Sequence, residues 1–283
     1  MTGSRSLVGA FFLGALVALC FCVAIWRCFV LDTTAYLVWA APVGDSRIPR
    51  RVMQTYHHLD KIPQKVAAQF AALAPDYERV LYDDPTAVSF IRRHFDQGLV
   101  ELFEGFRVGA FKADLFRYCY LYIEGGIYLD IKTVLEKPLG DIHRGLDSDG
   151  VILASCLTKF SPWIPYTWGG LLSPCAYQGI IFAAPRNPIF LECIAYMRKH
   201  TRRGRVDYLA WCKNFAERMG QRGVRRPGFD AKARYMVWEE RLHFSSDGCR
   251  GTVNKKIPFC SAIYDCASDE KLFITRFGDF PWS

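Results

Sequence analysis

The chain has 283 residues, 51% hydrophobic and 23% charged, with a formal net charge of +8. This composition excludes a disordered protein, and the length suffices for one large domain with an appendage. The positive balance is concentrated in runs around Lys199–Arg205 and Arg218–Arg226. These runs read as solvated helix faces or as attractors of anionic lipid or phosphate. No aromatic residues interleave with them at regular spacing, so no nucleic-acid partner is expected.

From Leu7 to Trp26 there is no charged residue, a run of twenty. That matches the ~20 residues that span a bilayer as a helix and exceeds the h-region of a cleaved signal peptide, so an uncleaved signal anchor is expected. Residues 1–31 are then a cytoplasmic tail and transmembrane helix, 32–47 a stem, and 48–283 the globular domain. One arginine stands on each side of the run, Arg5 and Arg27, so flanking charge does not set the orientation. The short tail favours a lumenal domain. Of eleven cysteines, Cys20, Cys22 and Cys28 belong to the membrane segment or its edge. The cluster Cys249, Cys260 and Cys266 is where a disulfide is expected, whereas Cys119 and Cys193 sit in helical patterns and read as small buried hydrophobes. There is no C-x-x-C pair, which argues against zinc.

Arg51–Tyr56 reads as a strand, Pro63–Leu73 as a helix and Tyr77–Tyr82 as a second strand. Asp84 then opens a helix with Pro85 at its first position. Strand, helix, strand, helix is the pattern of a parallel α/β sheet. The run Gly109–Glu124 has Phe111, Leu115, Tyr118 and Tyr122 at helical spacing and should stop at Gly125-Gly126 in a left-handed cap. Asp114 and Arg117, three apart, share one face of that helix. Ile127–Leu129 reads as a buried strand, with Asp130 and Lys132 pointing to one side at its end. Ligands of open α/β sheets bind beyond the carboxyl ends of the strands, which makes Asp130 a site residue.

Val151–Cys156 and Gly179–Ala184 are further expected strands, and Asn187-Pro188 starts a helix to His200. The stretch Ser161–Gly170, SPWIPYTWGG, reads as an aromatic loop too broken for a helix. Tyr235–Glu240 is a strand or short helix whose adjacent Glu239 and Glu240 are expected to be solvated. Adjacent carboxylates such as these, or Asp83 and Asp84, do not straddle one substrate bond as a glycosidase requires.

The residues Ala113-Asp114-Leu115-Phe116-Arg117-Tyr118, Leu121-Tyr122 and Gly125-Gly126-Ile127-Tyr128-Leu129-Asp130 together resemble the DxD sugar-binding region of the glycosyltransferase family that includes initiating α-mannosyltransferases, sphingolipid mannosyltransferases and α1,4-galactosyl- and N-acetylglucosaminyltransferases. The likeness extends upstream to Ile48–Tyr56 and, more weakly, downstream to Gln178–Pro185. It implies an α/β, GT-A-like nucleotide-sugar-binding domain with a mostly parallel central sheet behind one N-terminal transmembrane helix, located in the Golgi or ER with a lumenal catalytic domain. It also implies hexose transfer from GDP-mannose or a UDP-sugar to a glycan or glycolipid hydroxyl, with retention; an inactive membrane-anchored sugar- or nucleotide-binding protein of the same fold is the alternative.

By the same resemblance, Asp130 and Lys132 are catalytic positions, and Asp114, Arg117, Tyr56, Gly126, Tyr128 and Gln178 bind the donor. A divalent cation, Mn2+, would be held by Asp130 with Asp279 near the C-terminus. Trp163, Tyr166 and Trp168 would stack on an acceptor, although the same rings could dip into the membrane interface. One departure stands out: the family's second carboxylate is here Lys132, which either replaces part of the metal's charge or displaces the metal.

Overall fold

The computed structural model describes residues 48–144, 146, 152–155, 157–161, 164–167, 176–201, 210–221, 228–230, 235–243 and 260–275. The apolar run Leu7–Trp26, the stem, Trp163, Trp168 and Asp279 lie outside the described residues, as does the side chain of Tyr166. Among the described residues no helix is long and apolar enough to cross a membrane.

The first half alternates as its pattern predicts. β1 (Arg51–Thr55), α1 (Gln64–Leu73), β2 (Glu78–Tyr82) and α2 (Asp84–His94) follow one another. The cap of α2 is Asp83 rather than Asp84: its carboxylate accepts from the Thr86 N–H at 3.0 Å while Thr86 Oγ1 accepts from the Asp83 N–H, a reciprocal box that places Pro85 one position later than expected. α3 (Gln97–Gly105), unforeseen in the sequence, is capped by Asp96. α4 (Gly109–Ile123) and β3 (Gly126–Leu129) then form the centre of the domain.

Beyond β3 the chain continues through β4 (Val134–Leu135), α5 (Leu139–Arg144), β5 (Ile152–Ser155), β6 (Leu157–Ser161), β7 (Ile164–Thr167) and β8 (Ala176–Ala183). Next come α6 (Pro188–His200), α7 (Ala210–Gly220), β9 (Gly228–Asp230), β10 (Tyr235–His243), β11 (Cys260–Tyr264) and β12 (Lys271–Ile274). The sheet runs β2-β1-β3-β8-β5-β10-β11-β12-β4, with β9 paired to β10. In its first six strands β1, β2 and β3 are parallel, β8 is antiparallel to both β3 and β5, and β10 is parallel to β5. Five of these six therefore run the same way, as expected. The antiparallel ribbon β10-β11-β12-β4 that prolongs the sheet was not foreseen. Nor was the hairpin of β6 and β7 within the aromatic stretch read as a loop. Pro165 is compatible with it because a two-stranded ribbon leaves each strand one unpaired edge, where a missing N–H costs nothing.

α4 was expected to be amphipathic and is instead buried almost all round. Leu115 through Leu121 are all buried, because α2 and α3 pack on one part of its surface and α6 on another, with β3 adjacent. Phe116 meets Tyr82, Phe90 and Phe103 at ring separations of 4.8, 5.6 and 6.4 Å. Tyr118 stacks on Phe215 of α7 at 5.7 Å. Each such ring contributes about 1.5–3 kcal/mol by burial, and these contacts fix the depth at which α4 lies against the sheet. α7 is further tied by a disulfide at Cys212.

The reversal from α4 to β3 depends on two glycines. Gly125 has φ +65° and Gly126 has φ +93°. A Cβ on Gly125 would stand 2.6 Å from Pro185 N and 2.8 Å from Ala183 O, and one on Gly126 2.7 Å from Arg51 O. Neither backbone neighbour can move aside cheaply. Gly125→Ala is expected to destabilise the protein by about 1–3 kcal/mol, read as a lower midpoint in thermal unfolding. Gly105→Ala, where an added Cβ meets nothing within 4 Å and φ is not positive, should stay within about 0.5 kcal/mol of the parent.

Candidate functional site

The site is built where α4 crosses the carboxyl edge of β3. Arg117 is 5% exposed, so its guanidinium must find partners inside the protein. Its Nη2 lies 2.9 Å from Asp114 Oδ1 one turn back and 3.8 Å from Asp130 Oδ1. Its Nε donates to Ala113 O at 3.2 Å, its Nη1 donates to the carbonyl of Gln178, and its plane lies over the Tyr128 ring at 4.4 Å. Burial lowers its pKa, but Tyr128, Asp114 and Asp130 more than offset that and hold the charge firmly.

Asp130 follows the last residue of β3, and its backbone is fixed on two sides. Its N–H donates to Gly179 O at 2.7 Å, and its carbonyl accepts from Thr133 N at 2.8 Å and from Gln54 Nε2 at 3.4 Å. Oδ1 accepts from Tyr128 Oη at 2.7 Å, and Oδ2 lies 3.8 Å from Lys132 Nζ. Asp130 and Lys132 do face one site, but not as alternating strand residues. β3 ends at Leu129, and the turn closed by Thr133 N swings the lysine back over the carboxylate.

The two carboxylates differ in proton affinity. Burial raises Asp114 to about 6, with Arg117 pulling down and Asp130 pushing up. Burial also acts upward on Asp130, but Lys132, Arg117 and the Tyr128 hydroxyl outweigh it and leave its pKa below the ordinary value. Asp130 is therefore a fixed anion, and Asp114 sits near its titration point.

Other expected site residues are distributed unevenly. Tyr56 lies one residue past β1, on the same sheet edge as Asp130, half-buried, with its ring 4.6 Å from His57. Tyr128 lies within the cluster, against Arg117 and Asp130. Gly126 does not, since it opens β3 at the opposite edge and its close approach is to Arg51 O. Gln178 meets Arg117 through its backbone carbonyl, while its side-chain oxygen accepts from Tyr118 Oη.

Three residues were not anticipated. Gln54, fully buried, joins Asp130 O to Arg79, whose Nε donates to Gln54 Oε1 at 2.9 Å. Tyr177 folds over Gly179, whose hypothetical Cβ would also stand 2.8 Å from Asp130 Oδ2. The Tyr177 hydroxyl is buried without a hydrogen-bond partner among the described residues. Glu240, expected on the surface, is buried beside Glu239 in β10 and pushed up to about 7 by that burial, partly countered by a hydrogen bond from Ser261. Burial raises the Tyr177 phenol, and the nearby charges of Asp130 and Glu240 raise it further. The signal for Glu240 was its place between apolar neighbours, Val237-Trp238 before it and Leu242 after it.

Divalent cations take several oxygen ligands at about 2.0–2.6 Å. Here both oxygens of Asp130 face cationic groups, Asp114 is engaged by Arg117, and the position two beyond Asp130 carries an ammonium. Among the described residues no three His, Cys, Asp or Glu side chains converge as a metal site. Among the described residues this cluster does not fit the expected Mn2+; Asp279, its other expected ligand, lies outside them.

The family described as a glycosyltransferase sugar-binding region containing a DXD motif matches residues 53–151. An uncharacterized glycosyltransferase of Acanthamoeba polyphaga mimivirus is 37% identical over 115 residues, 40% of this chain and 39% of that protein. The mannosyl phosphorylinositol ceramide synthase SUR1 of Saccharomyces cerevisiae is 27% identical over 172 residues, 60% of this chain and 40% of that protein. The inositol phosphoceramide mannosyltransferase 3 of Schizosaccharomyces pombe is 38% identical over 95 residues, 32% and 26% of the two chains. The matches thus span about two fifths or less of these relatives' length. The solved structure of PaToxG glycosyltransferase aligns with a TM-score of 0.41 at 16% identity, over 63% of this chain and 71% of that one. Residues 53–151, with Asp130 at the edge of β3 and lysine at the motif's second carboxylate position, are thus similar to the glycosyltransferase sugar-binding region of the DXD-motif family.

Proposed function

We propose that the protein is a membrane-anchored hexosyltransferase that moves a sugar from GDP-mannose or a UDP-sugar to a glycan or glycolipid hydroxyl, with retention at the anomeric carbon. The observation that carries this reading is the charged cluster at the carboxyl edge of β3, where Asp130 meets Arg117 and Lys132 within the matched region. In the transfer, the bond from the sugar's anomeric carbon to the diphosphate oxygen breaks and its electron pair stays with the diphosphate. A bond to the acceptor oxygen forms, and the acceptor's proton leaves to the diphosphate or to water. Positioning and charge stabilisation dominate such a displacement.

In this reading Asp114 accepts from a ribose or sugar hydroxyl and Asp130 orients the ribose or sugar, while Arg117, expected to donate to the ligand itself, is buried and holds both carboxylates in place. Tyr56, at the same edge, stacks on the base. Trp163, Tyr166 and Trp168 stack on the acceptor in this reading. The run Leu7–Trp26 anchors the protein with its domain in the Golgi or ER lumen, which agrees with a disulfide at Cys212. The names of the two yeast relatives support a mannose donor and an inositol-phosphoceramide-like lipid acceptor.

The test is thermal unfolding of the full chain in detergent with UDP, GDP and their sugars, each with Mn2+ and with chelator. A ligand at a hundred times its Kd adds about 2.7 kcal/mol to stability. One nucleotide class should raise the midpoint, and transfer from its sugar to a lipid acceptor should follow; no shift with any nucleotide under either condition overturns the reading. Asp130→Asn should cut transfer by about 100-fold or more with an unchanged circular-dichroism spectrum, since Arg117 keeps Asp114 and Gln178 as partners. Because Asp114 titrates near 6 and is needed as an anion, donor affinity should fall as pH drops through about 6. Asp114→Asn should bind weakly and lose that acid limb, and Glu240→Gln should retain it.

A further inference from the structure

We propose that Lys132 supplies the counter-charge for the donor's diphosphate, so that this site binds its nucleotide sugar without a divalent cation. The proposal rests on the reading of the site as a nucleotide-sugar site. Exchanging the motif's second carboxylate for an ammonium changes the local charge by two units, which is the charge of the divalent cation that such a carboxylate would hold. Asp114 and Asp130 are then balanced by Arg117 and Lys132, and the cluster is neutral before any ligand arrives.

The geometry supports the exchange at each point. Lys132 Nζ stands 3.8 Å from Asp130 Oδ2, on the opposite carboxylate oxygen from Arg117, so a metal bound to Asp130 would be pressed against one cation or the other. Arg117 is sealed in the protein, whereas the Lys132 side chain is 30% exposed and can reach a ligand from where it is. The turn that Thr133 N closes on Asp130 O and the bond from Asp130 N to Gly179 O fix the backbone from which the flexible Lys132 stem reaches Asp130. An ammonium is a compact point charge with three N–H donors, suited to the spread charge of a leaving diphosphate. As the anomeric bond breaks and negative charge grows on the diphosphate, this cation stabilises it.

The experiment is calorimetric titration of the full chain in detergent with UDP and with GDP, in EDTA and in Mn2+, alongside Lys132→Ala and Lys132→Asp. For the nucleotide that binds, EDTA should leave the parent's affinity within about twofold, and Lys132→Ala should weaken it by about 10- to 100-fold in both buffers. Lys132→Asp should bind poorly in EDTA and recover with Mn2+. Its Mn2+ uptake should be visible by electron paramagnetic resonance without nucleotide, where the parent takes up none. Lys132→Gln, nearly isosteric, serves if the aspartate variant fails to fold, and should match the alanine variant. A parent that binds nucleotide only with Mn2+, or a Lys132→Ala variant with parental affinity, overturns the proposal while leaving the transferase reading intact. Absence of nucleotide binding in both buffers overturns both.

Discussion

The buried guanidinium of Arg117 is the constraint on which the rest of the domain's arrangement depends. A permanent charge held away from water is tolerable only where counter-charge and acceptors surround it. Here Asp114 comes from its own helix, Asp130 from the end of β3, and the Gln178 carbonyl from β8. One side chain thereby ties three separate segments to a common point. The aromatic packing around Phe116 and Tyr118 sets how deep α4 sits, and Arg117 sets where along the sheet it stops.

From that point the electrostatic character of the site follows. Asp130, between two cations and a phenol, stays ionised despite its burial. Asp114 has one cation and a neighbouring anion, and burial prevails. Two residues of the same type thus acquire different tasks from their surroundings alone: one a fixed anion, the other responsive to protons. The Tyr177 phenol feels the charges of both Asp130 and Glu240, which couples the cluster electrostatically to β10.

Much of this was legible in the sequence wherever the signal is local. The extent of α4, its stop at Gly125-Gly126 and the place of Asp130 at a strand end all follow from helical spacing, glycine conformations and strand patterning, and the family resemblance rests on the same residues. What escaped depends on contacts between distant parts of the chain. The burial of Glu240 is decided by β11 beside it, and no property of the Glu-Glu pair announces that. The β6-β7 hairpin hides behind its prolines, which a free strand edge accommodates. Gly126, which the resemblance implies as a donor-binding residue, opens β3 at the end away from Asp130, and its close approach there is to Arg51 O.

The direct passage from α4 into β3 through two left-handed glycines bears on the order of folding. Asp114 and Asp130 are only sixteen positions apart, and closing so short a span costs little chain entropy. The helix, its reversal and the strand form a local unit that brings three of the four charged partners, Asp114, Arg117 and Asp130, together, with Lys132 two residues on. β8, whose carbonyl completes the shell of Arg117, arrives from some sixty positions away along the chain. Until it docks, the guanidinium remains hydrated and the unit open to water. Dehydration of this cation is thus coupled to the joining of the two halves of the sheet, and the charge that organises the finished site also makes a half-assembled domain unfavourable.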